Sequence, residues 1–413
     1  MKKLFSLLIS ALLCALPCSA HAETAPELRL LVASDLHYLA PSLTDNGNYY
    51  QRVLANGDSK FMPYIEEITE AFLEEVISQK PDALLLTGDL TFNGAIISHE
   101  ALIQKLKGVE EEGIPVLVLT GNHDVYNRNA ASFHGDGFTR VPYGTSELFA
   151  ELYADFGFQE ALSIDEDSLS YIYPLGEKVR ILMLDLNTEN HFCSVSPKTF
   201  RWIEEQLENA RTEGCKVLAA GHQNLYQHSI FRGGYVISEA NQLGRLLRQY
   251  GVSLFLSGHM HIQHIKEKDG LTEITTSALP SYPCQYGDLQ LTEDQAIYQT
   301  RRLDMKAWAD RHGRTEAVFS AFQEAAAQYM AAHISKQADN PNQTADGTRN
   351  QMAEFFRALN LAYFSGDLSG IPEMDPDGAI AEKWMEQQDM IGAYISSIRQ
   401  DIGKTYTEWA GQW

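Results

Sequence analysis

Five apolar runs in this chain end in acidic, amide or imidazole side chains, and that recurrence constrains the fold more than any other feature. Pro115-Val116-Leu117-Val118-Leu119 leads to Gly121-Asn122-His123-Asp124, and Leu30-Leu31-Val32-Ala33-Ser34 leads into Asp35-Leu36-His37. Leu84-Leu85-Leu86-Thr87 precedes Gly88-Asp89, Val217-Leu218-Ala219-Ala220 precedes Gly221-His222, and Leu254-Phe255-Leu256-Ser257 precedes Gly258-His259-Met260-His261. Short runs rich in Leu and β-branched residues, apolar at every position, read as strands buried on both faces. Between them the spacing turns helical: Ile65, Ile68, Phe72 and Val76 follow Pro63, and Leu102, Leu106 and Val109 precede Gly113. Strands alternating with helices imply right-handed crossovers and a mainly parallel sheet. Ligands of such sheets gather at the carboxyl ends of the strands, where all five motifs lie.

The second half continues the pattern. Ser170–Tyr173 and Val179–Leu184 read as a hairpin around Pro174–Lys178, and Ser196 with Pro197 starts a helix striped by Phe200, Ile203, Leu207 and Ala210. Ser238–Tyr250 is amphipathic, and Ile262–Thr276 predicts a hairpin turning at Asp269-Gly270. With strands at Leu289–Leu291 and Ala296–Arg301, residues 23–303 are expected to form an α/β domain of two packed sheets flanked by helices. From 304 to 413 the chain is rich in Ala, Gln, Glu and Met, with helical spacing at Phe319, Phe322, Ala326 and Met330 and again at Ala353, Phe356, Leu359 and Tyr363. An all-helical C-terminal domain is expected there. Tyr38–Lys60 shows no period and reads as a loop, either beside the site or on the solvated surface. The aromatics of Tyr126–Asp167 either wall a pocket or pack as core.

The opening residues read as a leader. Met1-Lys2-Lys3 is basic, Leu4–Leu16 is apolar but shorter than the roughly 20 residues of a membrane span, and Ala20-His21-Ala22 fits a cleavage site. A signal peptide over 1–22, export to a bacterial periplasm and no stable membrane anchor are expected. Cys14 and Cys18 leave with the leader; Cys193, Cys215 and Cys284 then allow one disulfide with a thiol, or three free thiols. The formal charge is −23, and loss of Lys2 and Lys3 makes it −25. That balance excludes duplex nucleic acid as a partner, since backbone binding needs clustered cations. A small phosphate ester remains compatible, because bound cations can reverse the field within one pocket.

Taken singly, each motif has a bland explanation: a histidine after a strand is more often structural than a ligand, and Gly-Asp is a common turn. Five together point to metal. Asp, Asn and His suit hard-to-borderline divalent ions. Asp35, His37, Asp89, Asn122, His222, His259 and His261 are seven candidates, too many for one ion of three or four protein ligands, and enough for two bridged by a carboxylate. Such pairs suit in-line displacement at phosphorus. His123 is left over as an acid for the leaving alkoxide, with Asp124 as its orienter. His228 is the rival of His222; His99, His134, His191 and His264 read as surface or packing residues.

Asp-x-His, Gly-Asp, Gly-Asn-His-Asp, Gly-His and Gly-His-x-His, in this order over roughly Leu28–Leu303, resemble the calcineurin-like metallophosphoesterases. The resemblance implies a β-sandwich flanked by helices around two metal ions, of which Mn, Fe and Zn are the expected identities. It implies Asp35, His37, Asp89 and His261 on the first metal, with Asp89 bridging to a second completed by Asn122, His222 and His259, and His123 as leaving-group acid. Asp35-Leu36-His37-Tyr38-Leu39, Leu86-Thr87-Gly88-Asp89-Leu90-Thr91 and the helical extension resemble the exported branch related to class III cyclic-nucleotide phosphodiesterases. The expected activity is hydrolysis of small phosphodiesters, 2′,3′- or 3′,5′-cyclic nucleotides, by a metal-bridging hydroxide. The alternatives are a phosphomonoesterase with the same centre and a non-catalytic binding protein.

Overall fold

A computed structural model describes residues 28–338, 348–387 and 389–413. The leader over 1–22 lies outside these residues. Among those described, no helix is long and apolar enough to cross a membrane.

Two sheets carry the fold. In the first, Leu28–Ala33 runs parallel to Ala83–Leu86, and Ala83–Leu86 runs parallel to Val116–Val118. The helices Ile65–Gln79 and Ile96–Glu111 make the crossovers. On the other side Leu28–Ala33 pairs antiparallel with Gln285–Leu291, which pairs with Gln295–Arg302. In the second sheet, Val179–Leu184, Lys216–Gly221, Leu254–Ser257 and Leu271–Thr275 are parallel neighbours. His264–Lys268 and Tyr171–Leu175 flank them antiparallel. The helix Pro197–Glu213 starts as the sequence dictates, with Ser196 accepting from the amides of Lys198 and Thr199, and ends at Gly214 in the left-handed region. Its buried stripe and that of Ala240–Gln249 cover the outer face of the second sheet. The other face packs into one core with the first sheet. The carboxyl ends of the parallel strands from both sheets therefore open at one rim.

One ion cluster staples the first sheet. The fully buried Asp288 carboxylate accepts from Arg29 Nε and Nη2, both at 2.9 Å, and from Arg301 Nε at 2.5 Å.

Two expectations change and one open alternative is decided. Tyr38–Lys60 is not all loop: Asn48–Asn56 is a helix whose Tyr50 and Leu54 are buried, Tyr50 packing 5.4 Å from the Phe133 ring. Two apolar residues four apart are too short a pattern to announce a helix. Within Tyr126–Asp167, Phe133, Phe149, Tyr153, Phe156 and Phe158 are buried and so belong to the core. The region after Leu303 is mainly helical but not wholly so, because Glu408–Gln412 is a strand on the edge of the first sheet, opposite Gln295–Gln299. Its alternating exposure serves one neighbour only, a weak signal over five residues. Cys193, Cys215 and Cys284 are free thiols.

The helical region docks beside the last motif. Ile262 lies in its apolar cluster with Met330, Phe356, Leu359 and Trp384. Tyr363 donates to the His228 carbonyl at 2.8 Å, and His264 Nε2 stands 3.4 Å from Asp401 Oδ2.

Candidate metal centre

Beyond the ends of the parallel strands the chain stays zipped by backbone hydrogen bonds: Asp35 N to Gly88 O at 3.0 Å, His37 N to Asp89 O at 2.9 Å, and Gly258 N to His222 O at 3.0 Å. The turns these bonds enforce are tight. Asp35, His37, Asp89, His259 and His261 all have positive φ, between 48° and 67°. For side chains other than glycine that region costs of order 1–2 kcal/mol each, and such strain gathers at functional sites. The motif glycines permit close approach: a Cβ on Gly258 would lie 1.7 Å from Ser34 Oγ, and one on Gly121 would lie 2.1 Å from both the Asp89 nitrogen and Oδ1.

These turns bring the donors into two sets sharing one carboxylate. Asp35, His37, Asp89 and His261 form the first, and Asp89, His222 and His259 the second, with donor atoms of each set within 4.8 Å of one another. In the first, His37 Nε2 is 3.2 Å from His261 Nε2 and 3.7 Å from Asp89 Oδ2, and His261 Nε2 is 3.3 Å from Asp35 Oδ1. In the second, His222 Nε2 is 3.4 Å from Asp89 Oδ2, 3.2 Å from His259 Nδ1 and 3.2 Å from Asn122 Oδ1. Ligands about 2.1 Å from one ion stand about 3.0–3.4 Å apart, so these separations approach the edges of a coordination shell. Asp89 Oδ2 is the atom common to both.

Two further observations fit cations here. Asp35 Oδ1 is buried without a hydrogen-bond partner, although Oδ2 is held by Ser34 Oγ at 2.6 Å and His259 N at 2.8 Å. The outward ring nitrogens of the second set are also engaged: His222 Nδ1 donates to Thr87 O at 2.9 Å and His259 Nε2 to Gly234 O at 3.0 Å. Those bonds fix the tautomers that leave His222 Nε2 and His259 Nδ1 as lone-pair donors. Burial, reinforced by the Lys60 ammonium and His123, holds the His37 imidazole well below its ordinary value, and burial with His222 brings His259 down to about 4. Burial alone would raise the Asp89 carboxyl, but the charges of His222 and His123 hold it well below the usual carboxylate range. The neutral imidazoles of His37 and His259 beside charged carboxylates are donors that a divalent ion of the Mn, Fe or Zn type accepts. Burial alone would lower His222, but Asp89 and Asp35 raise it to about 9, so an ion entering the second set would displace a proton from its ring.

His123 stands at the rim, about one-third exposed, with Nε2 3.9 Å from Asp89 Oδ2. Its Nδ1 donates to Phe92 O at 2.6 Å. That carbonyl, rather than Asp124, orients the ring. The Asp124 carboxylate instead accepts from the amides of Leu90, Thr91 and Gly121 at 2.8–3.0 Å, tying two ligand loops together from beneath. It is a positioning residue, for a short side chain directly after His123 on a turn points away from that ring. His99 is buried under the same loop and donates from Nε2 to the Asp124 carbonyl at 3.0 Å. His228 lies away from the centre, in contact with His264 and Glu273. Two neighbours belong to no motif: Asp58, whose Oδ2 is 3.8 Å from His261 Nδ1, and the buried Lys60, which pairs with Asp58 at 2.8 Å. Both sit in the aperiodic stretch, where only a contact across the fold could single them out.

Known proteins share this frame. A dimetal phosphatase from Danio rerio superimposes with a TM-score of 0.52 at 14% identity, over 67% of this chain and 96% of its own. Two curated relatives, from Vesicomyosocius okutanii and Ruthia magnifica, each carry the name "Probable cyclic nucleotide phosphodiesterase". They are 37% identical over 84 residues and 40% over 78, in each case 19% of this chain. The matched segments span about a third of those relatives, 35% and 32%. The profile of the calcineurin-like phosphoesterases matches residues 28–263, which hold the six residues of the two donor sets together with Asn122, and the chain belongs to that family.

Proposed function

We propose that this protein is a dinuclear-metal-dependent phosphodiesterase acting on small phosphodiesters, with cyclic nucleotides as the substrate class. One observation carries the reading: two donor sets sharing Asp89, with the His123 imidazole at their edge outside both sets. Asp35, His37, Asp89 and His261 would hold one ion, and Asp89, Asn122, His222 and His259 the other. When bound, such a pair supplies Lewis-acid charge for the phosphoryl oxygens and lowers the pKa of water.

The chain's own groups supply the rest. Asp89 would serve both ions, and its Oδ1 accepts the His123 amide at 2.7 Å. His123, with Nδ1 committed to Phe92 O, presents Nε2 to the leaving oxygen and delivers a proton there. The names of the two curated relatives support the diester reading over the segments they share. Met1–Ala22 supports export to the periplasm, and a mature protein starting at Glu23 by mass spectrometry would bear that out.

The test is turnover by purified protein of bis-p-nitrophenyl phosphate, p-nitrophenyl phosphate, and 2′,3′- and 3′,5′-cyclic nucleotides, before and after chelation and metal restoration. Cleavage of diesters that disappears on chelation and returns with Mn, Fe or Zn supports the proposal. Cleavage of the monoester alone replaces it with a phosphomonoesterase, and binding without turnover replaces it with a non-catalytic protein.

A further inference from the structure

After His222 the chain makes a loop that folds back over the second donor set, held by Asn224 N to Tyr235 O at 3.0 Å and Ile237 N to Asn224 O at 2.9 Å. This loop carries a row of rings leading away from the metal position. Tyr235 lies 5.0 Å from His259, Phe231 lies 5.3 Å from Tyr235, and Tyr394 of the helical region lies 6.2 Å from Phe231. Tyr394 is steadied by its hydroxyl on Asn360 Oδ1 at 3.2 Å. Phe192 arrives from another loop, its ring edge 3.4 Å from where a Gly234 Cβ would stand, and Gly234 is the residue whose carbonyl holds His259.

Two of these rings are left open to solvent. Phe231 is 37% exposed and Phe192 58% exposed, in a chain that buries most of its other phenylalanines. Exposed aromatic surface forgoes the gain that burial would bring, so rings left open beside a site are available to a ligand. A flat, uncharged ring partner suits them, since stacking on an aromatic face needs no particular hydrogen-bond pattern. The row begins at His259, so a substrate with its phosphate at the donor sets can extend its remaining part along it.

We propose that Phe231 and Phe192 form a stacking subsite for the nucleobase of a nucleotide phosphodiester, with Tyr394 backing Phe231 from the helical region. The subsite rests on the proposed phosphodiesterase reading and deepens it. It gives the helical region a share in substrate selection.

The experiment compares 2′,3′-cyclic AMP with glycerol 1,2-cyclic phosphate, which keeps the five-membered cyclic diester and lacks the base. Wild type, Phe231→Ala, Phe192→Ala and Phe231→Tyr are measured with metals restored. The ratio of kcat/KM for the nucleotide over the base-free diester should fall about tenfold in each alanine variant, mostly through KM, and recover in Phe231→Tyr. An unchanged ratio in both alanine variants overturns the subsite, as does a fall that tyrosine fails to rescue. If wild type cleaves neither diester, the phosphodiesterase reading fails on its own. The subsite is then judged by calorimetric binding of AMP, where a tenfold weakening in Phe231→Ala supports it and no binding to wild type overturns it.

Discussion

His222 Nε2 and His259 Nδ1 face each other across 3.2 Å, and the other nitrogen of each ring is tied to a backbone carbonyl. With those outer bonds made, the two remaining nitrogens point at the same space, where a proton on His222 holds them together and a metal ion would take that proton's place. The arrangement is therefore preorganised for metal before any ion arrives, and several consequences can be measured.

Asp89→Ala should empty both positions, because Asp89 Oδ2 belongs to both donor sets. Elemental analysis should show metal falling toward zero, and phosphodiester turnover should drop by about a thousandfold or more. One full equivalent of retained metal would show that the carboxylate serves a single ion.

His123→Ala should keep both metals, since Nε2 of His123 lies at the edge of the sets and is in neither. Its kcat should fall by about 10²–10⁴ for alkyl leaving groups and much less for nitrophenolate, which needs little protonation. Equal slowing of both would remove the acid role.

Gly121→Ala and Gly108→Ala form a matched pair. A Cβ at Gly121 meets the Asp89 backbone and carboxylate at 2.1 Å, whereas nothing lies within 4 Å of one at Gly108, inside the helix Ile96–Glu111. The first change should lower metal content and Tm together. The second should stabilise the fold by about 0.5–1 kcal/mol through helix propensity. Thermal unfolding of the two variants checks both signs.

Asp58→Asn should weaken the first metal position by about 10–100-fold, the usual cost of losing a carboxylate behind a ligating histidine. Its Oδ2 faces Nδ1 of His261 at 3.8 Å. A competitive chelator titration reads the affinity directly, and an unchanged value would assign Asp58 to Lys60 alone.

Asp288 supplies a pH prediction remote from the metals. Burial would raise its carboxyl, but hydrogen bonds and charge from Arg29 and Arg301 hold it below its ordinary 3.8. A group whose pKa is depressed by folding adds stability above its unfolded pKa and loses that contribution as pH falls through the folded value. Asp288→Asn should therefore cost about 1–3 kcal/mol at pH 7, the two arginines being partly exposed. The gap to wild type should narrow as pH drops from about 5 toward 3. A gap that stays constant with pH would show that charge is not what the cluster contributes.

The residues that the fold gathers into two donor sets were legible because they follow apolar runs: Leu84–Thr87 before Asp89 and Leu254–Ser257 before His259 announce strand and candidate site in one stretch. The hairpin at Asp269-Gly270 and the helix started by Ser196-Pro197 were legible for the same local reason. What stayed hidden depends on partners distant in sequence. Asp124 sits next to His123 yet serves Leu90, Thr91 and Gly121, because the turn sends its side chain beneath the loop. Phe231 and Phe192 belong to no motif of the sequence, and only the fold sets them against Tyr235 and Gly234, the two neighbours of His259. Glu408–Gln412 is a strand solely because the edge at Gln295–Gln299 is free to accept it.

That last strand changes what the helical region is. Leaving the first sheet after Arg302 and rejoining it at Glu408, the region is fastened at both ends to neighbouring strands, like a strap rather than a pendant. Tyr394 is thus carried to its place by the architecture itself, and trimming the final six residues, Glu408–Trp413, would unbuckle that strap while leaving both donor sets in the chain.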